Sequence, residues 1–252
     1  MFNFGAGKLI AVPTQDFLGN VITNPTPVIL GALQDVSVDL SVELKMLYGA
    51  NRYPLAVGQG KAKPEIKAKY ADISGPALGS LFFGKTAAAG IKAVAYDVAG
   101  LVPATPFQIT PAVPNTGTFV ADMGVFHSTT GAQFTRVASA PATGQYAVNT
   151  ATGVYTFAAA DVAAPVKISF EYTAASTTGQ VFQITNDLMG YTPSFSIFLQ
   201  SDFQGKRLVV KFNKAVSGKL SLPYKNDDFT ISDFEASAFD DGTGSIGYIA
   251  LF

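Results

Sequence analysis

The chain contains no cysteine, no tryptophan and a single histidine, His127. Without cysteine there is no disulfide and no thiolate metal site, and the redox compartment leaves no mark on the sequence. Charge is scarce too: Asp, Glu, Lys and Arg make up 14% of the 252 residues, well under the usual quarter. The net charge of −1 provides no basic footprint for gripping nucleic acid. Apolar runs long enough for a membrane-spanning helix, about 18 residues, are missing. The N-terminus, Met1 to Lys8, has no basic region followed by an apolar stretch. It therefore predicts no secretory signal and a product that stays in the cytoplasm where it is made.

The residues that carry chemistry are also thin on the ground. A zinc site around His127 would need carboxylates, and none cluster near it in sequence, so His127 reads as a surface or packing residue. No Gly-x-Ser-x-Gly nucleophile turn occurs. Asp227-Asp228 and Asp240-Asp241 are adjacent carboxylates, and neighbours in a strand point to opposite faces rather than into one two-carboxylate site. Asp240-Asp241-Gly242-Thr243-Gly244 reads as a turn, since it lacks the ligand spacing of a calcium loop. Gly242-x-Gly244-x-x-Gly247 matches a dinucleotide fingerprint in letters only, because it opens a strand and not a helix. The expectation is a protein with no catalytic residue, no cofactor and no metal, hence not an enzyme.

What the sequence does contain is β-pattern. Asp35 to Met46 alternates polar and apolar residues over twelve positions. Val36, Val38, Leu40, Val42, Leu44 and Met46 fall on one side; Asp35, Ser37, Asp39, Ser41, Glu43 and Lys45 fall on the other. Period two means a strand with one buried and one wet face, and at about 3.3 Å per residue it spans roughly 40 Å. Lys61 to Tyr70 alternates again, with Lys61, Lys63, Glu65, Lys67 and Lys69 on one face. The two runs predict a hairpin with cross-strand ion pairs, and Pro64 predicts an edge or a bulge. The fourteen residues between them, Leu47 to Gly60, predict a long loop that either folds back on its own domain or docks on a neighbour.

The fold class expected is mainly β, a sandwich or barrel with one short flanking α-helix and a second, smaller β-sandwich set into it. The helix is read from Ser74 as cap, Pro76 in the first turn, Leu78, Leu81 and Phe82 on one face, and Gly84 as the stop. From Pro103 to Ala175 the composition shifts: prolines cluster at the entry, and only Asp122, Arg136, Asp161, Lys167 and Glu171 carry charge. Short strands at Gly117–Val120, Gln133–Val137, Gln145–Asn149, Gly153–Phe157 and Val166–Tyr172 read as an inserted sandwich over 103–175. The host then comprises 1–102 and 176–252, with strands at Val181–Thr185, Ser194–Leu199, Arg207–Phe212 and Lys219–Leu222, and a closing hairpin from Phe229–Phe239 and Ser245–Phe252.

Leu33-Gln34-Asp35-Val36-Ser37-Val38-Asp39-Leu40, the segment Asp72 to Gly84, and the ending Leu222-Pro223, Phe229 to Ala236 and Asp241-Gly242 with the last strand together resemble the tail tube (major tail) proteins of long-tailed bacteriophages. The resemblance covers roughly 1–102 and 176–252; the uncharged insert departs from the minimal form of that family and resembles small Ig-like domains that decorate some tails. It implies a structural virion protein, assembled in the bacterial cytoplasm, whose subunits close into hexameric rings that stack into a conduit for DNA ejection. The partners implied are further copies of itself and other tail proteins (tape measure, terminator, baseplate, sheath). DNA would be non-specific cargo only, and no membrane is implied. On this reading Tyr48, Asn51, Arg52 and Tyr53 contact the next ring, and Asp35, Asp39, Glu43, Lys61, Lys63, Lys67 and Lys69 line the lumen if the charged face turns inward. Two other classes stay open. One is a carbohydrate- or host-binding β module, with the insert as reader. The other is an outer-membrane barrel, suggested by Phe252 at the end with Tyr248 and Ala250 on its face.

Overall fold

The computed structural model describes residues 5–72, 75, 77–186, 189, 190, 192–224 and 226–252. It is mainly β, as the pattern predicts. In chain order the strands are β1 (Lys8–Gln15), β2 (Val28–Leu30), β3 (Leu33–Tyr48), β4 (Pro54–Tyr70), β5 (Ala88–Ala89), β6 (Ile91–Leu101), β7 (Gln108–Ile109), β8 (Thr118–His127) and β9 (Thr135–Arg136). There follow β10 (Gln145–Asn149), β11 (Val154–Phe157), β12 (Pro165–Ala174), β13 (Gln180–Val181), β14 (Ser194–Phe203), β15 (Lys206–Ser221), β16 (Ser232–Ala238) and β17 (Gly247–Leu251).

The chain divides into two units, 1–87 with 182–252, and 88–181. This corrects the expected insert of 103–175 at both ends. The boundary set by the proline cluster cuts off β6, yet β6 pairs along its length with β12, from Pro165↔Leu101 to Ala174↔Ile91. Composition changes at Pro103, whereas the ladder that holds the unit together begins a strand earlier.

The smaller unit packs a three-stranded sheet, β6-β12-β8, and a four-stranded sheet, β7-β11-β10-β9, around one core. Phe119, Val125, Tyr146, Tyr155, Phe157, Ile168 and Phe170 fill it. β5 and β13 pair with each other at its entry and exit, so the strand expected at Val181–Thr185 shrinks to the two residues of β13.

The larger unit is one eight-stranded sheet in the order β2-β1-β14-β15-β16-β4-β3, with β17 also on β15. Leu9, Ala11, Leu30, Ile66, Tyr70, Phe195, Ile197, Phe212 and Phe234 form its core. The short helix is a seven-residue π-helical turn, Ala77–Phe83, and not the α-helix expected. A segment this short is held by packing and not by propensity: Ala77 and Leu81 are buried in the core. Gly84 ends it in the left-handed region at φ +60°, where the expected stop lies. The expected cap Ser74, the first-turn Pro76 and the side chain of Leu78 lie outside the described residues.

Three more expectations change. Arg207–Phe212 and Lys219–Leu222 are one sixteen-residue strand, β15, whose register shifts opposite Phe195/Ile197 on β14 and again between Ser217 and Lys219. Those shifts break the alternation that a sequence reading follows. The last two strands are not a hairpin with each other. β16 pairs with the second half of β15 (Ala215↔Ala238 to Ser221↔Asp233), and β17 pairs with the first half (Leu208↔Leu251 to Phe212↔Gly247). Both therefore run antiparallel to β15 along the same side of it, one beyond the other. Asp240–Gly244 links them through a turn in which Asp240 accepts the N–H groups of Gly242 and Gly244. Finally, the fourteen-residue loop is absent, as its consequences for the candidate site show.

Candidate functional site

β3 and β4 pair from Leu33↔Tyr70 to Tyr48↔Pro54, which leaves a connection of only five residues, Gly49 to Tyr53. Leu47↔Ala56 and Met46↔Val57 extend the ladder through what reads as loop. Gly58 and Gly60, part of the expected loop, lie inside β4 beside a register shift between Val42 and Leu44. A bulge there absorbs the extra residue and lets the strands run on.

The hairpin has two parts. At its base, β4 pairs with β16 on the other side, from Ser232↔Tyr70 to Ser237↔Glu65. Beyond Pro64 it has no such neighbour among the described residues, which fits a residue without an N–H to donate. From there the hairpin is a free arm. The apolar face that carries Val36, Val38, Ile66 and Ala68 into the core continues outward as Leu40, Val42, Leu44, Met46 and Val57, all exposed. A contiguous row of exposed aliphatic side chains of this length is uncommon on a folded monomer. At the tip, Tyr48, Asn51, Arg52 and Tyr53 are all exposed, with Tyr53 at 76%.

The opposite face of the sheet is a charged ladder. Asp35, Lys69 and Asp233 form one row across β3, β4 and β16, and Ser37, Lys67, Glu235 and Lys219 form the next across β3, β4, β16 and β15. Lys67 lies 3.5 Å from Glu65 and 3.9 Å from Asp39, and Lys219 lies 3.4 Å from Glu235. The hydrogen bond with Lys63 holds the Glu65 carboxyl below its ordinary value and lifts the Lys63 ammonium above its own. The ladder thus brings Asp35, Asp39, Lys63, Lys67 and Lys69 onto one face. Glu43 and Lys61 fall at the bulge, outside the regular rows. Lysines and carboxylates are interspersed across the strands, with Lys67 reaching both Asp39 and Glu65, so the face has little net charge.

Sequence reading missed a groove of about 290 Å³ between the arm and β17. Leu40, Val42 and Pro64 border it on one side, and Ile246, Tyr248 and Ile249 on the other, with Lys211 at its edge. The sequence signal was the apolar ending with Tyr248, Ala250 and Phe252 on one face, and the arm's closeness to it follows from the collinear β16 and β17.

In the smaller unit, Asp122 is a buried carboxylate fully taken up by donors. Tyr146 donates its hydroxyl to Oδ2 at 2.7 Å, Tyr155 to Oδ1 at 2.9 Å and the Gly124 N–H to Oδ1 at 3.1 Å, and Arg136 lies 3.6 Å from Oδ2. Burial, together with that carboxylate, pushes both tyrosine hydroxyls well above their ordinary value. This is a structural node. His127 packs its ring over Phe134 and accepts the N–H groups of Thr129 and Thr130 at Nδ1, in keeping with a packing role.

Among the described residues no group of three His, Asp or Glu side chains could hold a metal ion. No helix among them is long and apolar enough to cross a membrane. No protein-family model matches the chain, and no curated protein matches it.

Proposed function

We propose that the chain is a self-assembling structural subunit of the tail-tube kind, closing into rings that stack into a conduit for DNA. The observation that carries this reading is the free arm: a two-stranded extension with an uncovered apolar face and a tip of Tyr48, Arg52 and Tyr53. Arms of this kind are unfavourable on an isolated molecule and are stabilised when a partner covers them. Aromatic and Arg side chains at the tip are the residue types that anchor interfaces. The eight-stranded sheet also ends at β3, a sixteen-residue strand with one edge unpaired among the described residues. Joining such edges from copy to copy removes a site of uncontrolled pairing. The interspersed charges of the polar face suit a wall that must not retain a polyanion, because tight binding to DNA needs a surplus of cations.

The partners are copies of the same chain in stacked, hexameric rings, with other tail proteins at the ends of the tube. Electron microscopy of the purified protein is expected to show rings or tubes, and sedimentation to show species far above 26.4 kDa. A monodisperse monomer at millimolar concentration sinks the proposal.

A further inference from the structure

The groove between the arm and β17 has the form of a missing strand. Arg207 and Phe252 exchange both backbone hydrogen bonds, and the Asn213 N–H donates to the Ile246 carbonyl. In an antiparallel ladder this alternates. Tyr248, Ala250 and Phe252 therefore turn their backbone groups toward β15, whereas Gly247, Ile249 and Leu251 turn theirs away, into the groove. On the far side, the stretch of β4 before Glu65 has no neighbour on that edge among the described residues either. Two open edges thus flank an apolar floor.

The groove also carries an unanswered charge. Lys211 Nζ sits between two rings, 5.0 Å from the centroid of Phe198 and 5.8 Å from that of Tyr248. Among the described residues no carboxylate forms an ion pair with it. The occupant should be apolar in part, and acidic opposite Lys211.

The same unit presents such a segment at its other pole. The turn between β15 and β16 exposes Tyr224 at 89% and Phe229 at 85%, with Asp227 exposed between them. It follows Ser221, while the groove lies beside 208–212 of the same strand. At about 3.3 Å per residue the two are roughly 40 Å apart along the sheet, too far to meet within one molecule. β4 runs parallel to β15, since both are antiparallel to β16, so the arm's tip points toward the groove's pole and away from this turn. One pole holds a socket and the other a plug.

We propose that a second copy of this chain seats its β15–β16 turn in the groove, with Tyr224 and Phe229 against the apolar walls and Asp227 facing Lys211. The contact is head-to-tail and does not close, so it repeats along an axis parallel to the strands. It deepens the assembly reading by naming a second element of the contact between stacked copies, and it rests on that reading only for the presence of a neighbour.

The absence of cysteine makes a direct test possible. In a Phe229→Cys/Ile249→Cys double variant, both positions are exposed and lie on opposite poles. Oxidation of the assembled protein is expected to produce a ladder of disulfide-linked oligomers on a denaturing gel, where each single variant, with no cysteine opposite its own, stays monomeric. Tubes in the microscope without a ladder overturn the docking but leave the tube reading standing. A ladder without rings or tubes keeps the docking and sinks the tube reading. As a second measurement, Lys211→Glu is expected to raise the concentration needed for assembly about tenfold, the scale of losing one close charge pair. Asp227→Lys added to it should restore assembly; a double variant no better than the single one also overturns the proposal.

Discussion

Tyr70 and Ser232 stand directly opposite each other in the β4–β16 ladder, and each buries a hydroxyl with no hydrogen-bond partner among the described residues. Tyr70 is 1% exposed and Ser232 is fully buried. A buried hydroxyl without a partner loses its bonds to water and gains none in return, at a cost of about 1–3 kcal/mol. Tyr70→Phe and Ser232→Ala keep nearly the same volume and remove that cost. Each is expected to leave stability unchanged or raise it by ~1 kcal/mol, read as an increase in Tm of the full chain. A fall in Tm of several degrees for both would mean that these hydroxyls are bonded in solution.

The smaller unit shows the opposite case. Asp122 is buried and satisfied by Tyr146 and Tyr155, so removing one hydroxyl leaves a charged oxygen short of a donor. Tyr155→Phe is expected to cost about 1–3 kcal/mol, and Tyr146→Phe somewhat less because Arg136 remains near the same oxygen. Urea unfolding of the full chain, followed by near-ultraviolet circular dichroism, measures both.

The same node predicts a pH dependence. Both tyrosines hold their protons in the folded state well above the ordinary value of 10.0, first through burial and then through Asp122. The unfolded chain releases those protons first, so stability is fully present below pH ~10 and falls as pH rises beyond it. The double variant Tyr146→Phe/Tyr155→Phe should start less stable at neutral pH and show a shallower alkaline decline. Parallel declines in the two proteins would assign the effect to other groups.

Gly247 opens β17 where the backbone passes closest to β15. A Cβ built there lies 1.9 Å from the Lys211 carbonyl oxygen, so Gly247→Ala must push the strands apart. The expected result is loss of the pairing of β17 with β15 and weaker amide protection from Gly247 to Leu251, with the core strands β14 and β16 protected as before. Unchanged exchange in β17 would show that the strands can part by an ångström without separating.

How much of this was readable beforehand depended on whether the local pattern and the ladder agree. They agree over Asp35–Val42, where strict alternation meets an unbroken register, and over the short runs Gln145–Asn149 and Val154–Phe157, which pair without a shift. They part wherever a bulge adds a residue. The shift near Glu43 broke the pattern and hid the arm inside an apparent loop, and two shifts split β15 into two apparent strands. Charged residues of the polar face were legible because β3 and β4 keep their register through the base of the hairpin. The groove was not, because it joins Leu40 to Tyr248, residues 208 positions apart, through the end-to-end placement of β16 and β17 along β15. No spacing in the sequence encodes that meeting.

The arm itself supplies the sharpest separation of folding from assembly. Its tip lies outside the core: Tyr48, Tyr53 and Leu55 are exposed, and none belongs to the cluster that holds the sheet together. Replacing Tyr48 to Pro54 with a short Gly-Ser linker removes exposed side chains and the half-buried Pro54, none of them in the core, so the change in subunit stability should stay within about 0.5 kcal/mol. If the tip fastens one ring to the next, the same variant loses stacking altogether while single rings persist. Replacing Arg52 alone with Ala should weaken stacking by about tenfold in the concentration required, as for a single anchor at an interface. Sedimentation velocity gives the assembly state, and circular dichroism confirms that the subunit is folded. Normal tubes from the linker variant would move the contact between rings away from the tip and onto the arm's apolar flank, where Leu44 and Met46 would be the next residues to replace with Ser.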